Sequence, residues 1–327
     1  MAAKYPGGGA PARRGRSPGG PGGRSPPALS QAPGSGIEAA MTPDLLCIGS
    51  VLWDIIGRSD VHMERGSDVG GRISRVPGGV ALNVAMAARA YGMTPALLSC
   101  VGRDAEGEEL VAALTRLGLV TDTLYRSEDL PTDVYMAVEG ANGLIAAIAD
   151  AHSLERAGDK ILRPLDDMIF DGPIALDGNL TADLLARIAA DPRFAEADLR
   201  VAPASPGKVD RLLPFLGHSA ATLYVNLEEA GLLLHAPQAG AAQAAEALRA
   251  RGLHRALVTD GPRPAACAGP EGSFARQPRD VMVTRVTGAG DTFMAAHIAA
   301  EAQGADARTA LERALEAAAT YVSSDSY

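Results

Sequence analysis

The segment Val286-Thr287-Gly288-Ala289-Gly290-Asp291-Thr292-Phe293 runs two glycines and an alanine into an aspartate, and an apolar helical pattern follows. Small residues let a backbone turn come close to a ligand. A helix starting there aims free N–H groups and its positive dipole end at whatever sits above. That arrangement suits a phosphate. A carboxylate repels phosphate, so Asp291 makes sense as a base that takes a proton from an attacking hydroxyl. The amides of Gly288, Ala289 and Gly290 would then hold the developing charge. Alone, the same residues also describe an ordinary helix N-terminus behind a Gly turn.

A second cluster lies far upstream, from Pro77-Gly78-Gly79-Val80-Ala81-Leu82-Asn83 to Tyr91-Gly92. Gly78 and Gly79 allow close backbone approach. Asn83 can donate and accept at once, which suits a sugar hydroxyl. It is also what a helix cap behind a Gly turn looks like.

The chain has 327 residues, of which 47% are hydrophobic, enough for one large α/β domain with a substantial core. A formal net charge of -9 disfavours nucleic acid or an anionic membrane as partner. Aromatic residues at 4% leave little for base-stacking platforms. Cys47, Cys100 and Cys267 show neither zinc spacing nor a disulfide framework, so a cytoplasmic location is expected. No apolar run approaches the ~18 residues of a membrane span. Residues 1–41 are rich in Gly, Pro, Ser and Arg and are expected to form a disordered tail, or to precede a true start at Met41. Arg13-Arg14 has no hydrophobic stretch behind it to make a twin-arginine signal.

The elements that must position the two clusters alternate. Short buried strands are expected at 45–51, 96–101, 174–177, 199–203, 222–226 and 255–259. Helices are expected at 104–117, 182–190, 208–216, 228–234, 238–251, 289–302 and 307–322. The alternation predicts an α/β fold, a doubly wound and mostly parallel sheet with helices on both faces. Ligands in such sheets sit at the carboxyl ends of strands, where Asp54, Asn179, Asn226 and Asp260 fall. Residues 56–77 and 123–151 break the pattern and read as extended pieces with turns. Ala141-Asn142-Gly143 between two apolar runs is a hairpin signal.

Together, the early Gly-Gly-x-x-x-Asn and the late Gly-Ala-Gly-Asp resemble the two signatures of the ribokinase-like (PfkB) carbohydrate kinases, over the chain from about Thr42 onward. The resemblance implies a ribokinase-like fold with a small β lid built from segments 56–77 and 123–151. That lid covers the sugar and often mediates a homodimer. It also implies ATP and Mg2+ as cofactors and a small-molecule sugar or nucleoside as acceptor. Asp54 matches the family's sugar-hydroxyl aspartate, beside Gly78, Gly79 and Asn83. Asn226 and Glu229 match its Asn-x-x-Glu motif, which acts on magnesium and phosphate largely through water. Thr259, Asp260 and Gly261 match the strand end that contacts nucleotide. Two positions depart from the pattern. Pro264 stands near where the family usually has a second glycine. Arg285 stands where the family commonly has Asp or Asn, and an arginine repels the alkali cation that this carboxylate helps to hold in some members.

Three local features resemble the pseudouridine kinases of that family: Ile148-Ala149-Asp150, Leu176-Asp177-Gly178-Asn179-Leu180 and Ala204-Ser205-Pro206-Gly207-Lys208. Asn179 can pair with ribose or a base edge. The Lys208 ammonium can hold a pyrimidine carbonyl or a phosphate, or sit on a surface helix. The expected reaction is phosphorylation of a primary 5′-type hydroxyl, with pseudouridine as best acceptor. Thr132 and Tyr135 are candidates for reading its additional ring N–H. Ribokinase, adenosine kinase and fructokinase activities stay open. So does a non-catalytic metabolite-binding protein on the same fold, which would have no reason to keep the base.

Overall fold

Alternation along the strands decides the architecture. In Leu45–Ile48, residues 46 and 48 pack into one core while 45 and 47 pack into another. The same split recurs in Thr222–Asn226, where Leu223 and Val225 face one way and Tyr224 the other. Side chains on a strand point to opposite faces, so a sheet apolar on both sides must be covered on both sides. The computed structural model describes residues 42–324. The tail expected at residues 1–41 lies outside the described residues.

The strands are β1 (Leu45–Ile48), β2 (Leu52–Arg58), β3 (Arg72–Gly78), β4 (Pro95–Leu98), β5 (Cys100–Gly102), β6 (Tyr125–Ser127), β7 (Val134–Gly140), β8 (Gly143–Asp150), β9 (Ile174–Asp177), β10 (Leu199–Ala202), β11 (Thr222–Asn226), β12 (Arg255–Asp260), β13 (Arg263–Gly269) and β14 (Gly272–Arg276). The helices are α1 (Val80–Ala90), α2 (Ala105–Arg116), α3 (His152–Ala157), α4 (Pro164–Asp167), α5 (Ala182–Ala190), α6 (Leu227–Leu234), α7 (Ala241–Ala250), α8 (Ala289–Ala302) and α9 (Ala307–Val322). The central sheet has eight strands in the order β14-β13-β12-β11-β10-β9-β1-β4. From β12 to β4 the pairing is parallel, and β13 and β14 add an antiparallel edge. α1, α2, α8 and α9 cover one face, and α3, α5, α6 and α7 the other. The fold is thus the doubly wound, mostly parallel α/β fold that the alternation predicts.

Strand order reverses at β1, which has β4 on one side and β9 on the other. A crevice opens at such a switch point, beyond the carboxyl ends of the two strands. A separate four-stranded sheet in the order β3-β2-β7-β8 is built largely from the segments expected to form the lid.

The structure corrects several boundaries. The first strand ends at Ile48 rather than residue 51, because the chain turns through Gly49 at φ 152. A Cβ at Gly49 would lie 2.2 Å from the Asp177 Cβ, so only glycine lets β1 end there. The expected strand 96–101 divides at Ser99, and β5 leaves the main sheet to pair with β6. Residues 125–127 therefore do not join the lid, which takes 134–150 instead. The expected helix at 208–216 is a run of 3₁₀ turns over Pro206–Gly217, with Pro214 inside to remove an α-helical donor. Strands β13 and β14 were not expected, since Pro264 and an Ala- and Gly-rich run hide their alternation.

Candidate active site

The two sequence clusters meet. Gly79, at φ 104, caps α1, and Gly288, at φ 88, caps α8. The two helices pack side by side on one face of the sheet. One turn into each, the Asn83 Nδ2 donates to Asp291 Oδ2 at 3.0 Å. Asp291 is half-buried, its carboxylate enclosed by protein and close enough to Asp177 to feel its charge. Desolvation raises its pKa to about 7. The Asn83 amide works against that rise, and the charge of Asp177 adds to it.

Around this pair, the switch point is filled by a polar chain. The Ser50 N–H and hydroxyl donate to Asp177 Oδ2 at 2.8 and 2.5 Å. The Asn179 N–H donates to Asp177 Oδ1 at 2.7 Å, and its Nδ2 reaches Ser50 Oγ at 3.1 Å. Lys208 Nζ donates to Asn179 Oδ1 at 2.5 Å. Burial, and then the neighbouring Arg211, lower the Lys208 pKa. Ser50 Oγ also accepts the Val80 N–H at 2.9 Å, so the same hydroxyl ties the start of α1 to the ends of β1 and β9. Sequence reasoning missed Ser50 and gave Asp177 no role. The available signal was a Gly-Ser directly after a buried four-residue strand.

Asp54 lies within β2, on the lid, rather than in a loop after the first strand. It is flanked in register by Val76 on β3 and Tyr135 on β7, with Ala149 beyond. Burial alone raises its pKa to about 6. A Cβ at Gly78 would fall 2.0 Å from Asp54 Oδ2, and one at Gly79 2.4 Å from the Ser50 carbonyl. The glycine pair is needed because the lid carboxylate and the β1 turn close on it from two sides. Thr132 is not free to read a ligand, since its hydroxyl and N–H both donate to Asp104. Tyr135 remains on the lid beside Asp54.

The turn before α8 departs from expectation in one detail. The Ala289 N–H is engaged, donating to Val286 O at 3.1 Å. Gly290 and Asp291 occupy the first helical turn, where N–H groups have no intrahelical acceptor. The available anion donors of this turn are therefore those of Gly288, Gly290 and Asp291 rather than a run through Ala289.

Farther along the same carboxyl edge, Asn226, Thr259 and Gly261 line a cavity of about 720 Å³ with Leu227, Gly231 and His235. The volume lies in the range that takes a drug- or cofactor-sized ligand. Asp260, beside them, is clamped by Arg263, with Nε–Oδ2 at 2.7 Å. Pro264 follows at the irregular step between β12 and β13, where a ladder donor is not required. Glu229 is not the solvated carboxylate that its place in a first helical turn suggests. It is buried and closes a capping box, its Oε2 accepting the Asn226 N–H at 2.9 Å while Asn226 Oδ1 accepts the Glu229 N–H at 2.8 Å. Burial raises its pKa. No group of three or more His, Cys, Asp or Glu suited to a metal ion occurs among the described residues.

Residues 42–326 match the pfkB family of carbohydrate kinases, and the chain belongs to that family. It is 30% identical over 140 residues to an uncharacterized sugar kinase, YeiI, of Escherichia coli (strain K12), which covers 42% of this chain. The chain spans about two-fifths (39%) of that relative's length. A carbohydrate kinase from Agrobacterium tumefaciens superposes with a TM-score of 0.75 at 26% identity, covering 87% of this chain and 92% of its own. Arabidopsis thaliana ribokinase, solved with ribose and ATP, superposes with a TM-score of 0.70 at 20% identity, covering 88% and 94%.

Proposed function

We propose that the protein is an ATP-dependent kinase that phosphorylates the primary 5′-hydroxyl of a nucleoside or sugar, with pseudouridine as its preferred acceptor. The observation that carries the reaction class is the Asn83–Asp291 contact, a buried carboxylate with a pKa of about 7 at the first turn of a Gly-capped helix. A base with that pKa is half-ionised at neutral pH and can still accept a proton as the hydroxyl attacks. Gly288, Gly290 and Asp291 offer backbone N–H groups where negative charge spreads over the transferring phosphoryl group. Asn83 orients the base, and Asp54, Gly79 and Asn179 hold the acceptor under the lid.

The cavity lined by Asn226, Thr259 and Gly261 would hold ATP, which would supply the phosphoryl group. The residues fit Mg2+ only as a hydrated ion. A lone carboxylate already engaged in a helix cap makes no cage, and Mg2+ usually keeps several waters and leans on substrate phosphates. Glu229 and Asn226 would hold those waters.

Three features support the nucleoside reading. Lys208, Asn179 and Asp177 converge at the end of β9, Asp54 and Tyr135 stand side by side in register on the lid, and the sequence resembles pseudouridine kinases at these places. No helix of the described residues is long and apolar enough to cross a membrane. The three thiols are buried and unpaired, consistent with the cytoplasm. A homodimer through the lid would cover Ile73, Met136, Val138 and Ile148, which its strand register puts on one exposed face. The decisive experiment is a phosphoryl-transfer screen with pseudouridine, uridine, adenosine, ribose and fructose. Absence of transfer to every acceptor would overturn the kinase reading, and preference for another acceptor would overturn only pseudouridine.

A further inference from the structure

The turn that carries Gly288 does not stand alone ahead of α8. It is tied to the last turn of α9, from the other end of the following helical hairpin. A helix C-terminus collects unsatisfied carbonyls and the negative end of the dipole. Here the segment just before the turn supplies the missing donors. The Thr284 and Arg285 N–H groups both donate to Val322 O, at 2.8 and 3.3 Å. The Thr284 hydroxyl reaches Val322 O and Ser324 O at 3.1 Å each. Arg285 Nε donates to Tyr321 O at 3.0 Å and Nη2 to Ser324 Oγ at 2.8 Å.

Two further contacts aim this clasp at the turn. The Arg285 guanidinium lies 3.7 Å from the centre of the Tyr321 ring, a stacking geometry that holds the ring in place. The Tyr321 hydroxyl then donates to Thr287 O at 2.9 Å. That carbonyl belongs to the residue before Gly288. A Cβ at Gly288 would lie 2.4 Å from Tyr321 Oη, so the hydroxyl touches the turn on both sides of the Thr287–Gly288 peptide.

We propose that Arg285 and Tyr321 are positioning residues for the Gly288–Asp291 turn. Arg285 fixes the Tyr321 ring, and the Tyr321 hydroxyl sets the orientation of the peptide whose neighbouring amides face the reacting phosphoryl group. The last turn of α9 thus acts on the site only through the turn that it clasps. The proposal rests on reading that turn as the site of phosphoryl transfer.

The test compares wild type with Tyr321→Phe, Arg285→Ala and Arg285→Lys. Tyr321→Phe keeps the ring and removes only the bond to Thr287. Misplacing a reacting group by an ångström costs on the order of a hundredfold in rate, so a tenfold to hundredfold fall in kcat is expected, with acceptor KM and thermal midpoint little changed. Arg285→Lys keeps the charge but not the flat stack, and should fall almost as far as Arg285→Ala. Added guanidinium ion should partly restore Arg285→Ala. Amide hydrogen exchange should quicken over residues 284–294 in Tyr321→Phe and Arg285→Ala, and stay unchanged in the lid. Wild-type kcat in Tyr321→Phe and Arg285→Ala, or unchanged exchange over 284–294 in both, would overturn the proposal. A wild-type protein inert toward every acceptor would instead overturn the kinase reading, and exchange would still decide whether the clasp orders the turn.

Discussion

Asn83 and Asp291 stand 208 residues apart in the chain and 3.0 Å apart in space. One arrives on the helix that follows the Gly-Gly turn, the other on the helix that follows the Gly-Ala-Gly turn. The amide donates to the carboxylate, stabilising its charged form against a burial that opposes charge. The contact tempers the rise that burial imposes on the Asp291 pKa and fixes the direction in which the carboxylate faces.

Replacing Asp291 by Asn should therefore remove turnover and leave acceptor binding largely intact. An amide has the same shape but cannot take the proton, and loss of a general base costs about 10²–10⁴ in rate. The same variant should melt higher than wild type at pH 8. Burial raises the folded-state pKa to about 7, well above its unfolded value. The stability linked to that shift is fully present below the unfolded pKa and is lost as pH rises through 7, where a buried charge must form. Near wild-type kcat in Asp291→Asn would remove the assigned role. An unchanged melting temperature at pH 8 would remove the burial argument.

Catalysis should run the opposite way with pH. The base must be ionised, so kcat/KM should rise with pH along a limb centred near 7, where the carboxyl loses its proton. Asp54, raised to about 6, adds a second ionisation on the acid side of that limb. A profile flat from pH 5 to 8 would mean that neither carboxylate is used in its ionised form.

Asn83→Ala should move that limb upward. Without the amide donor, only burial and the charge of Asp177 act on the Asp291 pKa, and both raise it. Asn83→Asp should move it further still, since a second carboxylate at 3 Å repels the first. A limb at the wild-type pH in both variants would show that the contact does not govern the base.

Much of this site was readable in the chain because it rests on backbone constraints. Gly78, Gly79 and Gly288 mark places where a side chain would strike Asp54, Ser50 and Tyr321, and such constraints leave a glycine in the sequence. The Asn-Gly step gave the β7–β8 hairpin for the same reason, with Gly143 at φ 91. What stayed hidden is partnership. Nothing near Ser50 announces that its hydroxyl bridges β1, β9 and α1, because Asp177 lies 127 residues away. Glu229 reads as solvated until the fold buries it, and Thr132 reads as available until Asp104 takes both of its donors. The substrate suffers from the same limit. The polar groups of a pocket are legible as residue types, but the base edge they match depends on their mutual placement.

Pseudouridine and uridine share the ribose and differ in the ring atom bonded to it, which leaves pseudouridine one additional ring N–H. A site with a buried acceptor for that N–H should prefer pseudouridine, because uridine would leave the acceptor unpaired at a cost of about 1–3 kcal/mol. With Thr132 committed to Asp104, the proposal leaves Tyr135 on the lid and the Asn179–Lys208 pair beyond β9 as its candidates for reading the base. Lys208→Met should then raise KM for the nucleoside tenfold or more, since it removes a charged donor from a half-buried pair. Ribose, which lacks a base, should lose little. Equal kcat/KM for the two nucleosides, or an equal loss for nucleoside and ribose in Lys208→Met, would move the reading to another acceptor while the reaction at Asp291 stood.

Farthest from the chemistry, the lower half of α8 is held by a buried charge cluster. Glu301 takes Arg255 in two bonds, Nη1–Oε1 at 2.5 Å and Nη2–Oε2 at 2.9 Å, and Arg200 Nη1 at 2.5 Å. His297 Nδ1 meets the Tyr224 hydroxyl at 2.9 Å. Burial first, and then the two arginines, depress the His297 pKa to about 3. Glu301, despite its burial, is lowered to about 2, chiefly by Arg200. Both depressed values carry the same sign. For His297, the unfolded chain binds a proton below its ordinary pKa near 6.5 while the folded protein does not, so stability falls as pH drops from there toward 3. For Glu301, stability is lost as pH falls further, from its unfolded value through 2. Glu301→Gln should cost about 3–5 kcal/mol at pH 7, because it leaves the buried Arg255 guanidinium without a carboxylate, while Arg200 keeps its pair with Asp198. It should also flatten the acid limb of a plot of stability against pH below 4. Denaturant melts of wild type and Glu301→Gln at pH 3, 5 and 7 test this. A change below about 1 kcal/mol at pH 7, in the range of an exposed ion pair, would show that the cluster does not anchor the helix that carries Asp291.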